Sequence, residues 1–276
     1  GLGAQCGLTL NVVESAGSLE NFIGVRKRRN TQFGIVQSDV LEYLKTFEKG
    51  DAEVQDAVRG VKIMFPLYDE EVHVLARADI AGVRDLAGKK VGFSVGGVEE
   101  AVLGAILTHH GLSLDDVELV NINWSLSPSL MSGQVDAVIG AFRNFELNQM
   151  DIEGVDGTCF YVEEEGLPPY DELIYVANRD TMDKDMIARF LAATEKATQY
   201  IVNHPEESWE VFAATSADLQ DELNARAWKD TLPRFALRPT AMDAGRYATF
   251  ETFLHDAGLI PDISPVSTIA IDVTAR

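Results

Sequence analysis

The feature that most limits how this chain can fold is an alternation of short apolar runs with stretches of helical spacing. Leu8 to Glu14 (LTLNVVE), Phe33 to Gln37, Val61 to Phe65, Val72 to Arg77, Lys90 to Val95, Val117 to Ile122 and Val135 to Gly140 read as strands. They are brief, apolar and bounded by Gly, Asn or Gln. Between them, helical spacing predicts helices over Ser18 to Arg29, Leu41 to Arg59, Val98 to His110 and Pro128 to Met131. That order predicts βαβ units and an α/β fold. From Asp183 onward the pattern turns helical. Met186 to Asn203 is stopped by His204-Pro205, and Ser208 to Ala214, Leu219 to Thr231 and Ala241 to Ala257 follow. This tail is expected to pack outside a sheet and to shape no site.

The order strand, helix, strand recurs: LTLNVVES to NTQFGIVQS is echoed by VELVNINW to GQVDAVIGA. A strand and helix, Lys90 to His110, precede the second copy. The first copy lacks such a partner, which leaves a gap where a central strand is expected. Either the chain is truncated at its start, the favoured expectation, or Thr268 to Val273 (TIAIDV) supplies the strand. The opening Gly1-Leu2-Gly3 carries no secretory leader, so a leader is expected to have been removed.

A net charge of −21 argues against nucleic acid as a partner, because a phosphate backbone demands clustered Lys and Arg. The one basic run, Arg26-Lys27-Arg28-Arg29, reads as a solvated helix face. No apolar run is long enough to span a bilayer as a helix. Cys6 and Cys159 are too few for a disulfide framework and are expected in different lobes.

Two stretches carry a resemblance. VGFSVGGVEEAVLG, VELVNINWSLSPSLMSGQVDAVIGAFRNFELNQ and GLPPYDELIYVANR resemble the pyrimidine-precursor-binding proteins of thiamin-salvage ABC importers. The likeness runs through Lys89 to Arg179 and on into the tail, to about residue 260. Residues 8 to 77 look instead like TAXI-type receptors of TRAP transporters, through ESAGSLEN, FGIVQSDVL and FPLYDEEVHVLAR. Both resemblances imply a two-lobed type II periplasmic-binding-protein fold, each lobe a mostly parallel sheet flanked by helices, with the ligand between the lobes. Lobe one is expected over 1–77 plus 178–276 and lobe two over 78–177. The chain departs from the opening motifs of both families. A hybrid, natural or assembled, joined near Arg77 to Lys89 is one reading of this.

The resemblance implies a monomeric receptor in the periplasm or outside the cell, soluble or lipid-anchored, without cofactor or metal. Its partners are a small-molecule ligand and a membrane permease. The ligand is a hydroxymethyl- or formylamino-aminopyrimidine on one side of the resemblance and a small carboxylate such as glutamate on the other.

The candidate ligand residues sit at strand ends. Gly96-Gly97 lead into a helix that opens Val98-Glu99-Glu100, where two carboxylates already answer the helix dipole. An anion would be repelled there, whereas the N–H groups of an aminopyrimidine would find acceptors, unless the glutamates only stabilise the helix start. Leu167-Pro168-Pro169-Tyr170-Asp171-Glu172 is a rigid connector that, by resemblance, is a ligand loop. Tyr170 would stack on a flat ring and Glu172 would accept from its amine. Trp124, Arg143 and Asn144 follow strands whose carboxyl ends carry ligands in open α/β sheets, although Arg143 reads equally as an ion-pair partner of Glu146. Ser18, Gln37 and Ser38 take the matching place in lobe one, Ser18 with an N-cap as its alternative role. Tyr68 is an aromatic wall or a core residue.

Gly92-Phe93-Ser94-Val95-Gly96 matches the G-x-S-x-G elbow of serine hydrolases. The turn, however, is expected later, at Gly96-Gly97, and no histidine occupies an evident late catalytic loop. A fungal-type pyrimidine synthase of the same fold needs iron and a cysteine-rich segment, and His73, His109, His110, His204 and His255 show no metal-ligand spacing. No catalytic residue is expected.

Overall fold

A computed structural model describes residues 9–66, 72–94 and 98–272. The chain divides into two compact units. The first comprises Gly1–Glu70, Tyr170–His204 and Arg234–Arg276, and the second comprises Glu71–Pro169 and Pro205–Pro233. Tyr68, Gly96 and Gly97 lie outside the described residues.

In the first unit, α1 (Ser18–Lys27) leads to β1 (Phe33–Gln37), α2 (Ser38–Phe47), α3 (Ala52–Arg59) and β2 (Val61–Pro66). Asp51 caps α3 by accepting from the N–H groups of Glu53 and Val54. In the second unit, β3 (His73–Arg77), β4 (Lys90–Phe93), α4 (Val98–His109), β5 (Glu118–Asn121), α5 (Leu126–Met131), β6 (Ala137–Ala141), α6 (Glu146–Ile152) and β7 (Gly157–Phe160) follow in turn. The chain then returns to the first unit with β8 (Leu173–Asn178) and α7 (Lys184–Asn203). It visits the second again with α8 (Pro205–Ala213) and α9 (Glu222–Thr231), and ends in the first with α10 (Ala244–Asp256) and α11 (Val266–Ile269).

Neither sheet is mostly parallel: the first is antiparallel throughout and the second is mixed. In the first unit the order is β1-β8-β2, and β8 pairs antiparallel with both neighbours, because a returning strand enters between two outgoing ones. In the second the order is β5-β4-β6-β3-β7. There β4 runs parallel to β5 and β6, while β3 is antiparallel to β6 and β7. Consequently Phe93, Asn121, Ala141 and Phe160 end their strands on the side where β3 begins at His73.

Burial explains the pairing. Ile174, Val176 and Ala177 of β8 are buried, and Ile187, Phe190 and Leu191 of α7 pack with Met64 and Phe65 of β2, Ala177 of β8 and Ile271. Each such aliphatic side chain contributes about 1.5–3 kcal/mol on leaving water. Phe22 and Val25 of α1 press on β1, where Gly34 is required: a Cβ there would come within 2.8 Å of Val25 Cγ2.

Three expectations fail here. Residues 9–14 form no strand and are exposed, Val12 at 96%. A run of β-formers becomes a strand only where a neighbour and a buried face are supplied. TIAIDV gives one parallel bridge, Ala270 to Ile63, with Ile271 N–H donating to Ile63 C=O at 2.9 Å, rather than a strand of the sheet. Finally, α8 and α9 join the second unit and not lobe one. Arg226 of α9 pairs with Asp151 of α6, Asp230 accepts from the Asn148 amide at 2.7 Å, and Trp209, Phe212 and Trp228 cluster between α8 and α9. The sequence reading had no α6 to anchor them.

Candidate ligand-binding site

At the carboxyl end of β1 the first unit gathers Ser18, Gln37, Ser38 and Glu172. Ser18 is not an N-cap: Gly17, at φ 127°, holds that place, and Ser18 begins the helix. Its hydroxyl accepts from Gln37 N–H at 3.0 Å and donates to Gln37 Oε1 at 3.3 Å. That fixes the amide, whose Nε2 donates to Glu172 Oε1 at 2.9 Å. The Ser38 N–H donates to the Glu172 carbonyl at 2.8 Å, joining the start of α2 to the start of β8. Glu172 is wholly buried. A buried carboxylate requires such donors, since desolvation penalises its charge. The Ser38 hydroxyl is buried without a hydrogen-bond partner among the described residues.

Tyr170 departs from its expected role. It is 1% exposed, and its ring stacks on Phe250 at 4.4 Å and 7°. Its face is committed to α10, so it is a core residue and not an open stacking wall. The neighbouring Asp171 accepts from Arg246 at 2.6 Å. Tyr170, Asp171, Arg246 and Ser38 border a cavity of about 30 Å³, room for one water.

In the second unit the turn after β5 is the strained place. Asn123 and Trp124 both have positive φ, 47° and 66°. Asn tolerates this region, but a Trp there costs on the order of 1–3 kcal/mol. Trp124 is nevertheless 62% exposed, so its burial does not offset the strain. Three neighbours impose the turn. Asn123 N–H donates to Asn121 Oδ1 at 3.0 Å, Trp124 N–H donates to Ser94 Oγ at 3.1 Å, and Ser94 N–H donates to Glu99 Oε2 at 2.6 Å. Glu99 is itself buried against Gly140, which has φ 102° and where any Cβ would meet Glu99 Oε1 at 2.6 Å. The Ser94 hydroxyl thus holds the Trp124 backbone.

Arg143 is a network centre. Its guanidinium lies 4.2 Å from the Tyr161 ring centroid, donates to Glu163 Oε1 at 2.8 Å and to His73 Nε2 at 2.8 Å. The expected Arg143–Glu146 pair is not formed, because Glu146 turns back to accept from Phe142 N–H at 2.8 Å. Burial holds the Glu146 carboxyl above its ordinary pKa. Burial also pushes the Glu163 carboxyl up, but the Arg143 hydrogen bond and charge outweigh it and leave Glu163 below the usual value. Asn144 is buried and donates to Thr231 Oγ1 at 2.8 Å, facing α9. Its Oδ1 lacks a hydrogen-bond partner among the described residues.

The candidates therefore fall into three sets: Ser18–Gln37–Ser38–Glu172 in the first unit, then Glu99–Ser94–Trp124 and Arg143–Tyr161–His73–Glu163 in the second. Sequence reading missed Tyr161, Glu163 and His73 as partners. The available signal was position: all three lie beside strand ends on the same side as Arg143.

Chain comparisons define the class of this architecture. The periplasmic aliphatic sulphonate-binding protein SsuA from Escherichia coli superposes with a TM-score of 0.67 at 17% identity, over 94% of this chain and 81% of that one. The fold is that of the type II periplasmic binding proteins. Residues 57–208 match the NMT1/THI5-like family, and the chain belongs to that family. A Haemophilus influenzae protein whose name assigns it to thiamine biosynthesis is 48% identical over 215 residues, 78% of this chain and 68% of the relative. The formylaminopyrimidine-binding protein of Halalkalibacterium halodurans is 31% identical over 155 residues, 55% of this chain and 46% of the relative. The chain thus spans less than half of that protein. A 4-amino-5-hydroxymethyl-2-methylpyrimidine phosphate synthase from Candida albicans also matches, at 24% over 157 residues, 53% of this chain and 46% of the synthase. The TAXI resemblance of residues 8 to 77 is not shown by these matches.

Proposed function

We propose that the chain is an extracytoplasmic solute-binding protein that captures a thiamin-related aminopyrimidine for the permease of an ABC importer. The observation that carries this reading is Trp124, an exposed indole on a strained turn, in a chain that is 31% identical over 155 residues to a formylaminopyrimidine-binding protein. A strained, exposed aromatic is maintained at a cost, and a flat heterocycle is a ligand that makes use of one. In the second unit the buried Glu99 carboxylate sets this turn through Ser94, which keeps the indole outward.

Binding of this kind needs no bond making. Thermal unfolding with hydroxymethyl- and formylamino-aminopyrimidines, against glutamate and other small carboxylates, tests the reading. A ligand at a hundred times its Kd adds about 2.7 kcal/mol, which raises Tm by roughly 5–10 °C in a chain of this size. The pyrimidines should give that shift and be recovered unchanged. A shift with carboxylates alone would replace the ligand class, and consumption of the pyrimidine would favour the synthase-like relatives.

A further inference from the structure

Asn121, the last residue of β5, stands just before the Trp124 turn, and the turn uses only half of its side chain. The turn closes through Ser125 N–H to the Ile122 carbonyl at 2.9 Å, with Asn123 and Trp124 as its two left-handed central residues. The Asn123 N–H is a donor, so the atom that meets it at 3.0 Å has to be the carbonyl oxygen Oδ1 of Asn121. That bond fixes which way the amide faces and leaves Nδ2 over. Asn121 is exposed, and among the described residues nothing accepts from its two N–H bonds.

The turn itself does not need that amino group. An aspartate would close it equally well, with a charge-assisted bond to the Asn123 N–H. What an aspartate does not supply is a donor. The amide at 121 therefore adds one thing beyond the turn: a fixed N–H pair in water, three residues from an indole that is 62% exposed.

Resting on the aminopyrimidine reading above, we propose that Asn121 is a specificity-determining residue. Its Nδ2 donates to an unprotonated ring nitrogen of a heterocycle stacked on the Trp124 indole. The lone pairs of ring nitrogens lie in the ring plane, so a ring lying on an indole is met by its donor at the edge. One turn thus provides a face at Trp124 and an edge donor at Asn121. The ligand class narrows to flat heterocycles with a free nitrogen on the recognised edge. A ring with C–H at that position is rejected, because the donor then loses its partner.

Calorimetric titration of the whole chain in mildly alkaline buffer tests this, using a hydroxymethyl-aminopyrimidine and a benzene analogue with the same substituents. The unaltered chain should bind the pyrimidine at least tenfold more tightly than the analogue. Asn121→Asp keeps the acceptor for the Asn123 N–H and should leave thermal unfolding unchanged. It should nevertheless lose at least tenfold in pyrimidine affinity, since carboxylate and ring-nitrogen lone pairs repel, and lose nothing for the analogue. Asn121→Ala removes the turn bond as well, and both its Tm and its pyrimidine affinity should fall. Pyrimidine affinity unaffected in Asn121→Asp, or an equal loss for both ligands, would overturn the role of Asn121 alone. No pyrimidine binding by the unaltered chain would remove the ligand reading and Asn121 with it.

Discussion

The strand ends of the two units treat polar and aromatic side chains in opposite ways. In the first unit everything turns inward: Ser18 holds Gln37, Gln37 holds Glu172, and Tyr170 lies flat on Phe250. In the second, the chain from Glu99 through Ser94 ends by pushing Trp124 outward on two left-handed residues. The first arrangement lowers the energy of the fold, since the Ser18 hydroxyl, the Gln37 amide and the Glu172 carboxylate bond to one another. The second raises it, since the backbone is strained for a side chain that stays wet. Inward networks need no function to explain them, but outward strain does, and Trp124 is therefore the stronger functional mark.

Two glycines break this comparison most directly. Gly140→Ala forces a Cβ to 2.6 Å from the Glu99 carboxylate at a φ of 102°. Strain and steric conflict together should cost about 2–4 kcal/mol, a fall in Tm of roughly 5–15 °C. In Gly34→Ala the one contact under 3 Å is with the methyl Cγ2 of Val25, at 2.8 Å, on a strand without positive φ. Small shifts of α1 relieve that contact, and overpacking of this sort costs about 1–3 kcal/mol. Differential scanning calorimetry of both variants should rank them in that order. The reverse ranking would mean that Glu99 is not the rigid base of the Trp124 turn.

Much of this was legible in advance, and the failures share a cause. β1, β2, β4 and β6 followed from apolar runs, and α7 from its spacing and the Pro205 stop, because those signals are local. Residues 9–14 carry the same local signal and still form no strand, since a strand also needs a partner. α6 and β7 went unread because Glu146–Ile152 is polar and short and Gly157–Phe160 is only four residues long. Tyr170 and Arg143 were assigned from position, yet Phe250 and Glu163 decide where those side chains go, and pairing between distant segments leaves no periodic trace. Asn123 beside Trp124 was the one readable hint of the left-handed turn, as Asn is enriched there.

Trp124→Gly sharpens the comparison from the other side. Glycine adopts φ 66° without strain, so stability should rise by about 1 kcal/mol, a gain of roughly 2–4 °C. Aminopyrimidine affinity measured by calorimetry should fall at least tenfold. Opposite movement of stability and binding is the signature of a residue kept for its ligand. If stability and affinity both stay level, the indole is ornamental and the strain is unexplained.

The smallest effects concern acid. Glu163 has its folded pKa lowered, net, by Arg143. The stability it contributes is therefore present above the unfolded carboxylate pKa of about 4.3 and is lost as pH falls through the lower folded value. Glu146 has its folded pKa raised by burial, so its contribution has the other sign: it is full below the unfolded pKa and disappears as pH rises through the higher folded value. In Arg143→Gln the acid limb of a Tm-against-pH curve should flatten, because Glu163 then has burial to raise its pKa and no guanidinium to lower it. In Glu146→Gln the same limb should steepen, since a group that favoured acid is gone. Both changes should be on the order of 1 kcal/mol or less, and matching limbs in the two variants would show that Arg143, Glu163 and Tyr161 do not form the coupled set described here.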